Sequence, residues 1–515
     1  MQLQSALLAG RSKPNRVHYG DLSLSDTTMR TCSAQPLVVL VSLLALDSCA
    51  TRPVNPRIDH ADAHSGYRFE TRQVYREDHE NLVILAFSGG GTRAAAFSYG
   101  VLESLRRTEF LGANGRRSRL LDEVDIITGV SGGSFTALAY GLYGDKLFDD
   151  YEQRFLKRNV QGEIFGRVLN PFNWPALWSR GWGRSELAAR LYDEILFNGA
   201  TFADLNRGAG PFINVSATDI TNGSRMGFNQ GLFDVLCSDL GAVSLSRAAA
   251  ASSAVPVVLS PVTINNYGGT CNYTLPDWLT PFFQSNDTPR PAARAIREFG
   301  AVSDYSDGMR RPYIHLVDGG VSDNLGMRGV LDALELIETM HDIGAPTPLD
   351  NARRIIIFIV NSLSTPPTDW DKHERAPGTL QVLVKATGVP IDHYSYEAVE
   401  LLKDTMARWR LLRQLRDSAA FTPGHDPAAD ALLRAPEAQI YAIDVSFQQL
   451  KDKNELKYLN KLPTSFHLPS EAVDRLRAAA GKIILESPEF QRLRNDFGAT
   501  IVPDSTAASE PNRVQ

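Results

Sequence analysis

Three short stretches of the 515-residue sequence carry residue types suited to acyl-transfer chemistry. Gly129-Val130-Ser131-Gly132-Gly133 sets a serine among glycines, after the mostly apolar run Val124 to Thr128 and before the helix-like Phe135 to Tyr140. A strand that turns sharply into a helix projects the serine Oγ toward an incoming substrate, and glycines on both sides ease strained backbone dihedrals. Ser131 is the expected nucleophile; the plain alternative is a glycine-rich turn. A serine nucleophile needs a base to take its proton and donors to hold the developing oxyanion. Gly89-Gly90-Gly91-Thr92-Arg93 supplies a row of backbone N–H groups at a second strand-to-helix turn, where the positive end of the helix dipole also points. Arg93 is expected to brace that loop rather than touch the oxyanion. Asp318, at the end of a predicted strand and before Gly319 and Gly320, is the expected base. A carboxylate of ordinary pKa, about 4, is a poor base for an alcohol, so this assignment requires burial to raise it.

Other chemistries compete for the same residues. Gly89 to Ala94 also satisfies a GxGxxA pattern after a strand, the mark of a dinucleotide-binding turn, but Glu109, the nearby acidic residue at a suitable distance, stands in no evident second strand. A serine triad would draw its histidine from His393 or His467, and neither sits in a glycine-framed loop. His315 would point to the opposite side of its strand from Asp318 and is expected to be a core or hydrogen-bonded residue. The remaining alternative is a catalytically silent, membrane-tethered lipid-binding or scaffold protein, against which the intact Ser131 and Asp318 argue.

In their order and spelling these motifs resemble the patatin-like phospholipase family. Gly89-Gly90-Gly91-Thr92-Arg93 matches its GGGxR loop, Gly129 to Gly133 its GxSxG elbow, Ala251 to Pro256 its ASSAxP block and Asp318-Gly319-Gly320 its DGG motif, over a stretch from Asn81 to Leu334. The resemblance implies a three-layer α/β fold with a largely parallel central sheet flanked by helices. It implies a Ser131 and Asp318 dyad, an oxyanion hole within Gly89, Gly90, Gly91, Thr92 and Arg93, and an elbow framed by Gly129 and Gly133. Gly319 and Gly320 complete the DGG turn. The implied reaction is hydrolysis of carboxylic esters of phospholipids or other acyl lipids through an acyl-serine, with no metal, cofactor or catalytic histidine.

The elements that must position these residues are legible as alternating strands and helices, which indicate an α/β fold with a largely parallel sheet. Leu82 to Phe87 is an unbroken apolar run, as in a strand buried on both faces, and Ala94 to Arg106 has apolar residues at helical spacing. Further strands are expected at Phe212 to Thr218, Val257 to Ile264, Tyr313 to Val317, Arg354 to Val360 and Gln439 to Phe447. Helices are expected at Val330 to Met340, Ser395 to Leu415 and Val473 to Leu485, and a loop from Asn265 to Pro312. Trp174, Trp178 and Trp182 read either as a packed aromatic cluster or as an interfacial patch near the mouth of a lipid-facing site. The resulting division is an upstream extension and signal peptide at 1–48, a lipid-anchor tether at 49–80 and a catalytic core at 81–345. A C-terminal α/β extension packing on the core at 346–500 and a mobile tail at 501–515 follow.

The net charge of −6 and pI near 6.0 leave no basic footprint for a nucleic-acid partner. Leu37 to Leu46 is too short an apolar run to span a bilayer and has the length of a signal-peptide core, with Met29-Arg30 before it; a buried strand or helix is the alternative. The following Leu46-Asp47-Ser48-Cys49 resembles a bacterial lipoprotein cleavage box, which would make Cys49 the lipidated first residue of the mature protein. That places the chain in a bacterial cell envelope, anchored and facing the periplasm, on the outer rather than the inner membrane. Cys32 would leave with the signal, so Cys237 and Cys271 remain either as a disulfide or as two buried thiols. No close CxxC or HExxH pattern offers a zinc site. Oligomeric state is not legible. Cys49→Ala should lose the lipid that intact mass or palmitate labelling detects on the parent; equal labelling of the two would remove the anchor.

Overall fold

A computed structural model describes residues 51–73, 80–111, 115, 117–179, 182–274, 293–342, 352–366, 368–418 and 438–503. The extension, the apolar run from Leu37, Cys32, Cys49 and the tail from residue 504 lie outside the described residues. The strands of the main sheet are β1 (Asn81–Phe87), β2 (Val124–Val130), β3 (Phe212–Asp219), β4 (Arg225–Gly227), β5 (Val262–Asn265), β6 (Tyr313–Val317), β7 (Arg354–Asn361) and β8 (Gln439–Ser446). Their order is β8-β7-β1-β2-β3-β6-β5, with β4 paired to β3. The run from β8 to β3 is parallel throughout, whereas β6, β5 and β4 are antiparallel additions. The fold is thus α/β, with a mixed but mostly parallel sheet flanked by helices.

The helices that matter for the site are α1 (Thr92–Arg106), α2 (Gly132–Tyr143), α3 (Val160–Leu169), α4 (Arg184–Tyr192), α5 (Leu245–Ser252), α6 (Met327–Asp342), α7 (Thr379–Arg416) and α8 (Ser470–Glu486). All of β1 is buried, and its period-two alternation divides it between two cores. Val83, Leu85 and Phe87 face one core with Phe97 of α1, Phe135 of α2 and Leu476 of α8, while Leu82, Ile84 and Ala86 face another with Leu331 of α6 and Trp409 of α7. From Leu82 to Phe87 each residue must satisfy one of two apolar layers, which is why this part of the strand reads as a continuous hydrophobic run.

Several segments depart from the reading of the bare sequence. The segment 49–80, expected to tether the fold, packs on it over the described residues 51–73. Tyr67 is buried with its hydroxyl accepting the Ile213 N–H, and Arg72 donates to the Leu205 and Asn206 carbonyls. The stretch lacks periodicity because single side chains, not a helical face, hold it down. The segment 346–500 enters the sheet itself: β7 lies in register against β1, from Asn81 beside Arg354 to Phe87 beside Val360, and β8 lies outside it. Within Asn265 to Pro312, where loop was expected, Ala293–Ser303 is helical; the Pro- and Asp-rich sequence before it masks its short amphipathic pattern. Only Val262–Asn265 of the expected strand from Val257 pairs. Ser395 to Leu415 is the second half of a helix that starts at Thr379.

Cys237 and Cys271 form a disulfide, Cα atoms 5.4 Å apart, across 34 residues of sequence. Closing a loop of that length restricts the unfolded chain by about 3–4 kcal/mol on the chain-entropy account. Reduction, or Cys237→Ser with Cys271→Ser, should lower the calorimetric unfolding midpoint; an unchanged midpoint would show that the bond contributes nothing.

Candidate active site

The serine turn follows from how β2 ends. Phe87 of β1 pairs with Gly129 of β2, so both strands run out at the same level and the two glycine turns meet. Ser131 itself carries the strain, with φ 48° and ψ −118°, a region in which a side-chain-bearing residue is unfavourable. The neighbouring glycines answer a different need, that of close approach. A Cβ at Gly132 would lie 2.0 Å from the Gly91 carbonyl oxygen, and one at Gly133 2.7 Å from the Ser88 oxygen. Gly129, at the end of β2, would place a Cβ 2.8 Å from the Ser134 Cα. Glycines thus bring α2 down onto the first loop, and the serine takes the unusual dihedrals that follow.

Ser131 Oγ donates to Asp318 Oδ2 at 2.9 Å, and both residues are buried. Asp318 reaches that position from an antiparallel strand. β6 overlaps only the end of β3, pairing Val317 with Thr218, and the chain then turns beside Ser216, the residue that pairs with Val130 next to the nucleophile turn. A Cβ at Gly319 would lie 2.3 Å from the Ser216 oxygen, so glycine is required for the close passage. The Gly320 N–H donates to Asp318 Oδ1 at 2.8 Å and fixes the carboxylate, while Thr218 Oγ1 donates to the Asp318 carbonyl at 2.9 Å.

The glycine loop divides its amides. Gly89 N–H donates to the Asn324 carbonyl at 2.8 Å and Thr92 N–H to the Ser465 carbonyl at 2.8 Å. Among the described residues, the Gly90 and Gly91 amides have no bonded acceptor, and both residues adopt positive φ, 140° and 60°. Of the five residues from Gly89 to Arg93, these two are the ones whose N–H groups remain to be offered to a substrate. Arg93 is buried and donates to the Ser362 carbonyl at 2.7 Å, the Leu462 carbonyl at 2.9 Å and Thr464 Oγ1 at 3.2 Å. Its guanidinium ties the loop to the C-terminal segment; burial lowers its pKa to about 10, which leaves it charged at neutral pH.

Two residues with no role assigned from the sequence, Ser252 and Asn324, and one whose role differs from the expected easing of strain, Gly132, join the group. Ser252 Oγ accepts the Ser131 N–H at 2.9 Å and donates to the Ser216 carbonyl at 2.7 Å, while its own carbonyl accepts the Gly319 N–H at 3.0 Å. It fixes the nucleophile and the base turn together, which gives the Ala251 to Pro256 block a physical purpose. Asn324 lies between the glycine loop and the Asp318 turn: its Oδ1 is 2.5 Å from where a Gly89 Cβ would stand and 3.0 Å from where a Gly320 Cβ would stand. Gly132 is the third, and its contact with Gly91 was hidden because sequence spacing says nothing of which loops touch. The histidines stand apart. His315 is exposed and bonded through Nδ1 to Thr263 Oγ1, and His393 and His467 are exposed, on α7 and on the loop after Ser465.

Residues 85–331 match the family described as Patatin-like phospholipase. No curated protein matches the chain. Among solved structures, human GIVD cytosolic phospholipase A2 is similar with 15% identity and a TM-score of 0.38, covering 84% of this chain and 63% of that one. This chain therefore spans less than two thirds of that protein's length. VipD from Legionella pneumophila is similar with 10% identity and a TM-score of 0.22, covering 85% and 73% of the respective chains. The type III effector protein ExoU has 14% identity and a TM-score of 0.19, with 79% of each chain covered.

Burial pushes the Asp318 carboxyl up to about 6, against the opposing pull of the Gly320 N–H and the Ser131 hydroxyl. The sign of the linkage follows. A carboxyl whose folded pKa exceeds its unfolded value costs the fold nothing below about pH 4, increasingly more between about 4 and 6, and a constant amount above that, of order 3 kcal/mol. Asp318→Asn removes the cost. Its unfolding midpoint should rise relative to the parent at pH 7.5 and converge with it near pH 4.5; a variant less stable at neutral pH would contradict a strained, buried carboxylate.

Proposed function

We propose, from the match of residues 85–331 to the family described as Patatin-like phospholipase, that the chain is a serine acyl hydrolase that cleaves carboxylic ester bonds of phospholipids or other acyl lipids. The reading is carried by one observation, the 2.9 Å hydrogen bond from Ser131 Oγ to the buried Asp318 carboxylate beside two uncommitted loop amides. Asp318, held near pKa 6, takes the Ser131 proton as Oγ attacks the ester carbonyl. The carbonyl π-electrons move onto oxygen, and the Gly90 and Gly91 amides donate to that oxyanion; one such donor is worth about 10²–10³ in turnover. Collapse of the intermediate breaks the ester C–O bond, the Asp318 proton passes to the departing alcohol, and the acyl group stays on Ser131. Asp318 then takes a proton from water as it attacks the acyl-serine, and returns it to Ser131 Oγ as the free acid leaves. The Ser131 dihedrals and the Ser252 and Thr218 hydrogen bonds hold the geometry before substrate arrives, so little reorganisation accompanies the chemistry.

The same proposal places the enzyme in a bacterial envelope, tethered through an acylated Cys49 and acting on lipid at a membrane surface. A fluorophosphonate probe should label the parent at Ser131 and leave Ser131→Ala unlabelled. Release of free fatty acid from a mixed lipid extract should fall more than ~10³-fold in the same variant. A folded parent that takes no label and releases no acid would return the chain to the scaffold reading.

A further inference from the structure

The segment from Val160 to Gly183 carries more exposed apolar surface than the fold needs. α3 buries Val160 and Ile164 against the core, yet its opposite face bears Phe165 and Leu169, 52% and 71% exposed. The chain continues through Phe172, 92% exposed, Trp174, 43%, and Trp178, 81%, with the two indole rings 6.2 Å apart. A surface helix normally has one apolar stripe, and contiguous exposed aromatics mark an interaction surface. Both ends of the segment are fastened beside the proposed active site. At one end the Gln161 N–H donates to the Phe466 carbonyl and its Oε1 accepts from Ser465 Oγ, the residue whose carbonyl holds Thr92. At the other end, Ser185 bonds Ser260, next to the exposed turn of Val257 and Val258. That turn leads back to Ala254, whose carbonyl accepts the Asp318 N–H.

We propose that Phe165, Leu169, Phe172, Trp174 and Trp178 form a docking face that inserts into a phospholipid bilayer and sets the mouth of the site against it. The proposal deepens the lipid-hydrolase reading and rests on it for the choice of a bilayer over a protein partner. Two observations favour that occupant. Amphipathic indole and phenyl rings suit the headgroup level of a membrane, and exposed Arg184 and Arg190 at the end of the segment can meet lipid phosphates, Arg190 lying over the Trp182 ring at 4.6 Å. Thr51 and Pro53 also come to this end of the segment, where they line, with Trp182 and Arg190, a cavity of about 360 Å³. Only Ala50 separates Thr51 from Cys49, two Cα steps or at most ~7 Å, so an acyl chain on Cys49 would start within that reach of the cavity at the end of the aromatic segment. The anchor and the face would then serve one membrane.

The test uses the full chain carrying Cys49→Ala, so that the face acts alone. Ser131→Ala in that chain should sediment with vesicles of phosphatidylethanolamine and phosphatidylglycerol. Adding Leu169→Ser, Phe172→Ser and Trp178→Ser should weaken this binding about tenfold or more. In the Ser131-containing chain, the same three changes should leave hydrolysis of a soluble short-chain ester within about twofold and lower hydrolysis of vesicle lipid in step with binding. Phe172→Ser alone, at the most exposed of the five positions, guards against misfolding of the triple variant and should shift binding in the same direction. The proposal is overturned if the parent does not bind vesicles or if the variants bind as the parent does. It is also overturned if the changes convert a dimer to a monomer, by light scattering, with vesicle binding untouched. Loss of turnover on every ester, with vesicle binding intact and dependent on the face, would instead remove the hydrolase reading and keep the membrane face.

Discussion

One hydrogen bond joins side chains 187 residues apart in sequence, Ser131 Oγ to Asp318 Oδ2, and the architecture around it can be read as the means of making it. Two strands must end at one level. β2 arrives with the parallel set and β6 from the opposite direction, so an all-parallel sheet would deliver the carboxylate by another route. The register settles the meeting point: Val130 pairs with Ser216, and Ser216 is the residue against which Gly319 closes. Ser252 then bonds Ser131, Ser216 and Gly319 at once, so the separation of the two groups is fixed by a third segment rather than by their mutual attraction. This matters because a carboxylate held by burial alone would favour its neutral form or turn toward water. Here the Gly320 N–H and the Ser131 hydroxyl direct it.

The residues that touch through glycine were legible in the sequence, but the reason for the glycines was not. A glycine on each side of a serine suggests strained dihedrals borne by the glycines. In the fold the strain falls on Ser131, and Gly132 is there because its neighbour is the Gly91 carbonyl. The chain pattern around Ser131 cannot reveal that contact, since Gly91 belongs to another strand's turn. Asn324 was equally hidden: polar, partly buried and just past a recognisable turn, it acquires meaning only when Gly89 and Gly320 are seen to border it. Strands fared better, because β1 and β7 are apolar on every residue that the two-faced core demands. The packing of Thr51 to Gln73 was missed for the converse reason. A strap held by Tyr67 and Arg72 leaves no periodic trace.

The family match ends at residue 331, but the physical unit that holds the glycine loop does not. Beyond that point lie Ser362, Leu462 and Thr464, which accept all three donor groups of Arg93, and Ser465, which takes the Thr92 amide. Without them a buried guanidinium would be left unpaired, a loss of about 3–5 kcal/mol, and the amides of Gly89 to Thr92 would no longer divide into two held and two free. β7 makes the same point for the sheet. It covers the whole length of β1, and without it Leu82 to Phe87 would become an exposed apolar edge, a poor support for the turn that follows. The C-terminal segment is therefore part of what gives Gly90 and Gly91 their orientation, although it contributes no group to the proposed dyad. Its place in the sheet directly beside β1 explains how residues so far from Ser131 in sequence can be necessary to the geometry around it.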